Sequence, residues 1–128
     1  MPQRTSIHTS AYGHSNPIPA ACRIGPLLVT GIIHGVDPAK PDQPGSLDAQ
    51  CALMFSRIRE VVAAGGATVD QIAKVNISVP DLAMRDVLNR HWVAMFPDAA
   101  ARPARQTTEM ALERGKLVQC DVLAWVGD

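Results

Sequence analysis

Hydrophobic and polar positions alternate with three distinct periods along this chain. Leu27 to Ile33 is a short stretch that is apolar on both faces, which predicts a strand buried on both sides. Gly31 within it predicts a bulge or a close approach to the backbone. Leu47, Cys51, Met54, Ile58 and Val61 recur at helical spacing, while Arg57, Arg59 and Glu60 fall off that stripe. Ser46 is a suitable N-cap, Asp48 favours the first turn, and Gly65-Gly66 is a stop, so the pattern predicts an amphipathic helix over 47–64. Val75, Ile77 and Val79 alternate with Asn76 and Ser78, the signature of a half-buried strand ending at Pro80. A second helix follows, capped by Asp81, with Met84, Leu88, Trp92, Met95 and Phe96 as its apolar stripe and Pro97 as its end.

The segments between these complete the outline. Residues 10–20 are rich in turn formers and read as a loop, 21–24 as a short strand, and Gly35 to Gly45, with three prolines, as a surface loop. Residues 105–112 and 116–126 read as strands that pair as a hairpin through a turn at Glu113–Gly115. The expected order is β-β-β-α-β-α-β-β in one domain over residues 1–128. The class is α+β, with a mixed sheet of about six strands and two helices on one face. The last strand is apolar on both sides: Val118, Cys120, Val122, Ala124 and Val126 on one, Leu117, Leu123 and Trp125 on the other. Helices cover one face only, and a large apolar patch left in water is costly, so a closed homo-oligomer is expected.

Composition narrows the partners. Hydrophobic residues make up 47% of the chain, enough to fill a core. Formal net charge is 0, so no general field attracts nucleic acid or an anionic membrane. No apolar run approaches the ~20 residues that span a bilayer, and the opening residues lead into no secretory h-region. Cys22, Cys51 and Cys120 are far apart and odd in number, which predicts reduced thiols in a cytoplasmic protein.

Candidate chemistry is sparse. Gln119 and Asp121 lie two apart on the last strand and share the Leu117/Leu123/Trp125 face, where each needs a partner: another side chain, a neighbouring subunit or a ligand. Arg105 opens the preceding strand, and its planar fork of donors suits a carboxylate. An ion pair with Asp121, Glu109 or Asp98 serves it equally well. Thr107 and Thr108 are strand residues whose hydroxyls can bond a ligand beside Arg105. His14, His34 and His91 are scattered and form no spaced metal set. There is no P-loop, no GxGxxG and no GxSxG elbow.

Several stretches, in order, resemble the RidA (YjgF-like) family over essentially the whole chain. They are Gly25-Pro26-Leu27-Leu28-Val29-Thr30-Gly31, followed by Asp37-Pro38; the helix from Gln50 to Gly65; and Lys74-Val75-Asn76-Ile77-Ser78-Val79-Pro80-Asp81. Asn89 to Phe96, Arg102-Pro103-Ala104-Arg105 and Gly115-Lys116-Leu117-Val118-Gln119-Cys120-Asp121 complete the set. The resemblance implies a chorismate-mutase-like fold and a homotrimer with clefts between subunits. It implies hydrolysis of reactive enamines and imines of small carboxylates, such as 2-aminoacrylate, to 2-keto acids and ammonia, without metal or organic cofactor. Arg105 would grip the carboxylate, with backbone near Thr30, Gly31 and Thr107 and with Asn16, Ile18 and Trp92 completing a pocket for a small carboxylate or imino acid. The chain departs from the family pattern at Asn16-Pro17-Ile18, where members carry Gly-Pro-Tyr, and at Gln119, where they carry an acid that places water. A glutamine holds water but does not take its proton. Asp121 is the substitute at hand, and His14 and Asn16 are candidates for the missing polar groups. The alternative is a non-catalytic, carboxylate-binding or regulatory trimer.

Overall fold

The computed structural model describes residues 3–9 and 16–127. His14 and most of the 10–20 loop therefore lie outside the described residues. Ser46 caps the first helix as its sequence predicts, its hydroxyl accepting the Ala49 N–H at 3.1 Å, and α1 runs Leu47–Ala64. Gly66 then takes a left-handed φ of 86° that a side chain would strain. Asp81 accepts the Ala83 N–H at 2.8 Å and opens a short 3-10 turn ahead of α2, Arg85–Met95.

Among the described residues seven strands form one sheet: β1 Arg4–Ile7, β2 Ala21–Ile24, β3 Leu27–Thr30, β4 Ile33–His34, β5 Ile72–Val79, β6 Ala104–Glu109 and β7 Gln119–Trp125. The predicted 27–33 strand is broken at Gly31-Ile32 into β3 and β4, both paired with β7. The lateral order is β1-β2-β3-β7-β5-β6, with β5 and β6 parallel and the remaining pairs antiparallel.

This order corrects the expected hairpin. The turn at 113–116 exists, closed by Lys116 N–H to Glu113 O at 3.1 Å, yet β6 and β7 do not pair. β5, α2 and β6 form a parallel crossover unit that sets β6 against one edge of β5. β7 then takes the other edge. The segment from 110 to 118 spans the width of β5 instead of folding strand on strand.

Both helices lie on one face. Val118, then Cys120, Val122 and Ala124 of β7, with Val75, Ile77 and Val79 of β5, are buried against Met54, Ile58, Val61, Leu88 and Trp92. On the opposite face Leu123 and Trp125 remain 39% and 53% exposed, and Ile24 42%. The two-sided apolar pattern of β7 thus has one side filled within the chain and one side bare.

Two polar side chains of α1 are buried. Arg57, off the apolar stripe and expected at the surface, donates through Nη1 to His34 O (2.8 Å) and Val36 O (3.0 Å). The 34–36 segment crosses over the helix and covers that flank. Gln50 is fully buried: its Nε2 donates to Gly45 O and Gly115 O, each at 3.1 Å, and its Oε1 accepts the Leu117 N–H at 2.9 Å. One side chain thereby ties two loops to the helix.

Candidate functional site

β6 is the edge strand of the sheet, and Arg105 is its second residue. The register pairs Arg105 with Val75, a core residue, so the arginine emerges on the helix-bearing face. There its guanidinium carbon lies 5.0 Å from the centroid of the Trp92 ring. Trp92 is itself held edge-on by Phe96, with centroids 4.7 Å apart at 60°. An indole face attracts a cation, worth about 0.5–2 kcal/mol, and holds the long side chain in one place.

Among the described residues the Arg105 guanidinium makes no hydrogen bond or ion pair. The carboxylates that the sequence offers it are engaged elsewhere. Asp121 accepts from Asn76 Nδ2 at 2.9 Å, Glu109 from the Leu82 N–H at 3.1 Å, and Asp98 from the Ala100 N–H at 2.9 Å. Burial pushes Arg105 below the ordinary arginine range, and the like charge of Arg85 adds to this. Both effects disfavour a lone cation, and an anion docked at the guanidinium relieves both. Thr107 stands two residues along on the same face, half-buried, with the outer edge of β6 beside it. The site can therefore hold a carboxylate in a guanidinium fork, flanked by strand-edge backbone and a hydroxyl.

The other predicted residues lie apart from it within one chain. Gln119 and Asp121 are on the bare face of β7, separated from β6 by β5. Gln119 is register partner of both His34 and Ser78. Thr30 and Gly31 end β3, three strands from Arg105, or roughly 14 Å at ~4.8 Å per strand. The Thr30 hydroxyl accepts the Val122 N–H at 2.9 Å and donates to Gly31 O at 2.8 Å, and Gly31 N–H donates to Ala20 O at 2.9 Å. These atoms join β3 to its neighbours. Asn16 and Ile18 sit in an exposed turn, Ile18 N–H donating to Asn16 O at 2.8 Å.

Thus Arg105, Trp92 and Thr107 come together, while Gln119 and Asp121 form a second group and Thr30, Gly31, Asn16 and Ile18 lie at the β3 end. Two contributors were not anticipated. Asn76 is the partner of Asp121, legible only as an alternating polar position on β5. Arg85 raises the positive potential beside Arg105, and nothing in its sequence neighbourhood signals that.

The two buried thiols are not candidates for nucleophilic chemistry. Cys51 and Cys120 are buried and free; burial pushes Cys51 up to about 11 and Cys120 higher still, so both stay protonated. No group of three or more metal-binding side chains occurs among the described residues. No helix among them is long and apolar enough to cross a membrane.

Known structures share this architecture. RidA of an Antarctic Psychrobacter superposes with a TM-score of 0.85 at 25% identity, over 95% of this chain and 99% of that one. Yeast Mmf1 gives 0.88 at 18% identity, over 98% and 100%. A Rhodopseudomonas palustris protein described as a "probable translation initiation inhibitor" gives 0.88 at 22%, over 98% and 100%. Comparison with curated protein sequences gives no match. The model of the family described as Endoribonuclease L-PSP matches residues 10–126. With that match spanning nearly the whole chain, and the fold shared with these structures, the protein belongs to the endoribonuclease L-PSP family of RidA-like proteins.

Proposed function

We propose that the protein hydrolyses reactive enamines and imines of small carboxylates, 2-aminoacrylate among them, to 2-keto acids and ammonia. The observation that carries this reading is the half-buried Arg105, cradled on Trp92 at a sheet edge with no carboxylate of its own. In the reaction Arg105 binds the substrate carboxylate by two parallel N–H···O bonds and so fixes the adjacent C=N carbon. Water adds to that carbon as its proton passes to solvent or to the nitrogen. The carbinolamine then collapses, breaking the C–N bond, releasing ammonia and leaving C=O. An iminium is already electrophilic, so orientation and a positioned water suffice without a strong base. Gln119 supplies hydrogen bonds to that water, and Asp121, held by Asn76, adds negative charge nearby.

The residues fall into separate groups on one chain, which supports a site built between copies. The bare face carrying Leu123 and Trp125 is where a second copy docks. A cyclic homotrimer brings Arg105 of one subunit toward the Gln119 surface of the next. Light scattering is expected to give about three times 13.7 kDa; a monomeric mass would remove the composite cleft.

The activity test generates 2-aminoacrylate in place with a serine dehydratase and follows loss of the imine. Keto-acid formation well above the uncatalysed rate is the expected result. Unchanged kinetics with saturable binding of 2-keto acids would favour the non-catalytic carboxylate-binding trimer, to which the loss of the family acid at Gln119 also leans.

A further inference from the structure

A second cleft lies away from Arg105, between the 35–45 loop and the 113–116 turn. It encloses about 530 Å³, within the range of sites for small organic ligands. Pro38, Pro41 and Pro44 give it rigid apolar walls. Its charged groups are Arg114, Lys116 and Asp37, with His34 beside them. The Asp37 carboxylate is turned into its own loop, accepting the Ala39 N–H at 2.9 Å. His34 Nδ1 accepts the Val36 N–H at 3.1 Å. The excess is two cations over one carboxylate.

The backbone makes the same point. Arg114 and Gly115 have φ of 56° and 76°, two successive left-handed residues, and Arg114 is the one non-glycine with positive φ among the described residues. Such a turn selects glycine or asparagine at both places. The backbone does not account for an arginine at 114, a residue that lines the cleft. Both lips are also preset, because buried Gln50 bonds Gly45 O on one and Gly115 O and Leu117 N–H on the other. A preset cleft binds with little ordering cost.

We propose that this cleft binds a small organic anion, its apolar body against the prolines and its carboxylate or phosphate between Arg114 and Lys116. The site does not depend on Arg105 or on the proposed hydrolysis. Benzoate and phenyl phosphate are the probes, with benzamide as the neutral control, followed by calorimetry and by amide chemical shifts of residues 34–45 and 113–117. Saturable binding of at least one anion, read from shifts at those residues, is expected, and the preferred probe tells carboxylate from phosphate. Arg114→Asn keeps a residue suited to the left-handed backbone; combined with Lys116→Gln it is expected to weaken binding tenfold or more with unchanged circular dichroism. Lys116→Gln alone, which leaves the turn untouched, is expected to weaken it severalfold. Arg105→Ala is expected to leave this binding unchanged. Absence of binding, equal binding of benzamide, full affinity in the double variant, or loss of affinity in Arg105→Ala would each overturn the proposal.

Discussion

Arg105→Ala is expected to lower kcat/KM for a 2-imino acid by about a hundredfold or more, equivalent to about 2.7 kcal/mol of transition-state stabilisation. A bidentate guanidinium–carboxylate pair is among the stronger polar contacts, and removing it loses affinity and orientation together. The fold is expected to survive. Arg105 lies on an edge strand and rests its guanidinium against the face of Trp92. Losing that contact costs about 1 kcal/mol, a few degrees in melting temperature for a chain of this size. Removing a half-buried cation that sits near Arg85 offsets part of the loss. Arg105→Lys separates charge from geometry: it keeps the cation but not the planar fork, so partial activity with a raised KM is expected. Assay of the three proteins on dehydratase-generated 2-aminoacrylate, with thermal melts alongside, checks this. Full activity in Arg105→Ala would reduce the arginine to a packing partner of Trp92 and sink the proposed reaction.

Gly35→Ala is expected to be the most damaging single methyl group in the described chain. A Cβ at position 35 would lie 1.8 Å from the Gln50 carbonyl oxygen, 2.5 Å from its carbonyl carbon and 2.7 Å from its Cα. All three are backbone atoms in the first turn of α1, so no rotamer change relieves the clash. The 34–36 segment must lift from the helix. Arg57 then loses its two carbonyl acceptors on His34 and Val36 and becomes a buried charge without them. Overpacking with loss of such bonds costs on the order of 3–4 kcal/mol. That corresponds to roughly 10 °C in melting temperature. Thermal unfolding by circular dichroism checks the value; a shift under about 3 °C would mean that the segment repacks freely. Gly35 is needed for close approach alone, because its φ is not in the left-handed region.

How far these features were legible follows from how local their causes are. The ends of α1 match the sequence reading, since an N-cap serine, a 3.6-residue stripe and a Gly-Gly stop act within a few residues of each other. The two faces of β7 were equally legible, because alternation follows from strand geometry whatever the partner. β1 was missed: Arg4-Thr5-Ser6-Ile7 has no apolar pattern and is held by pairing with β2. The burial of Gln50 and Arg57 was also missed, because the segments that cover them come from elsewhere in the chain. For the site, Arg105 was identified from its chemistry and its family-like context. Its surroundings were misjudged, because the hairpin reading set it beside β7.

The sequence by itself determined the helices, the cap of α1, the sidedness of β5 and β7 and the family to which the chain belongs, all through short-range periodicity and ordered motifs; Asp81, expected to cap α2, caps the 3-10 turn before it. Only the tertiary structure decided that β5 lies between β6 and β7. It thereby put Arg105 on Trp92 and away from Asp121, and gathered Arg114, Lys116 and His34 around one cleft. The physical reason is that strand pairing is a competition among edges. Local turn propensity favoured β6 against β7, and the parallel crossover through α2, which satisfies both edges of the buried β5, prevailed.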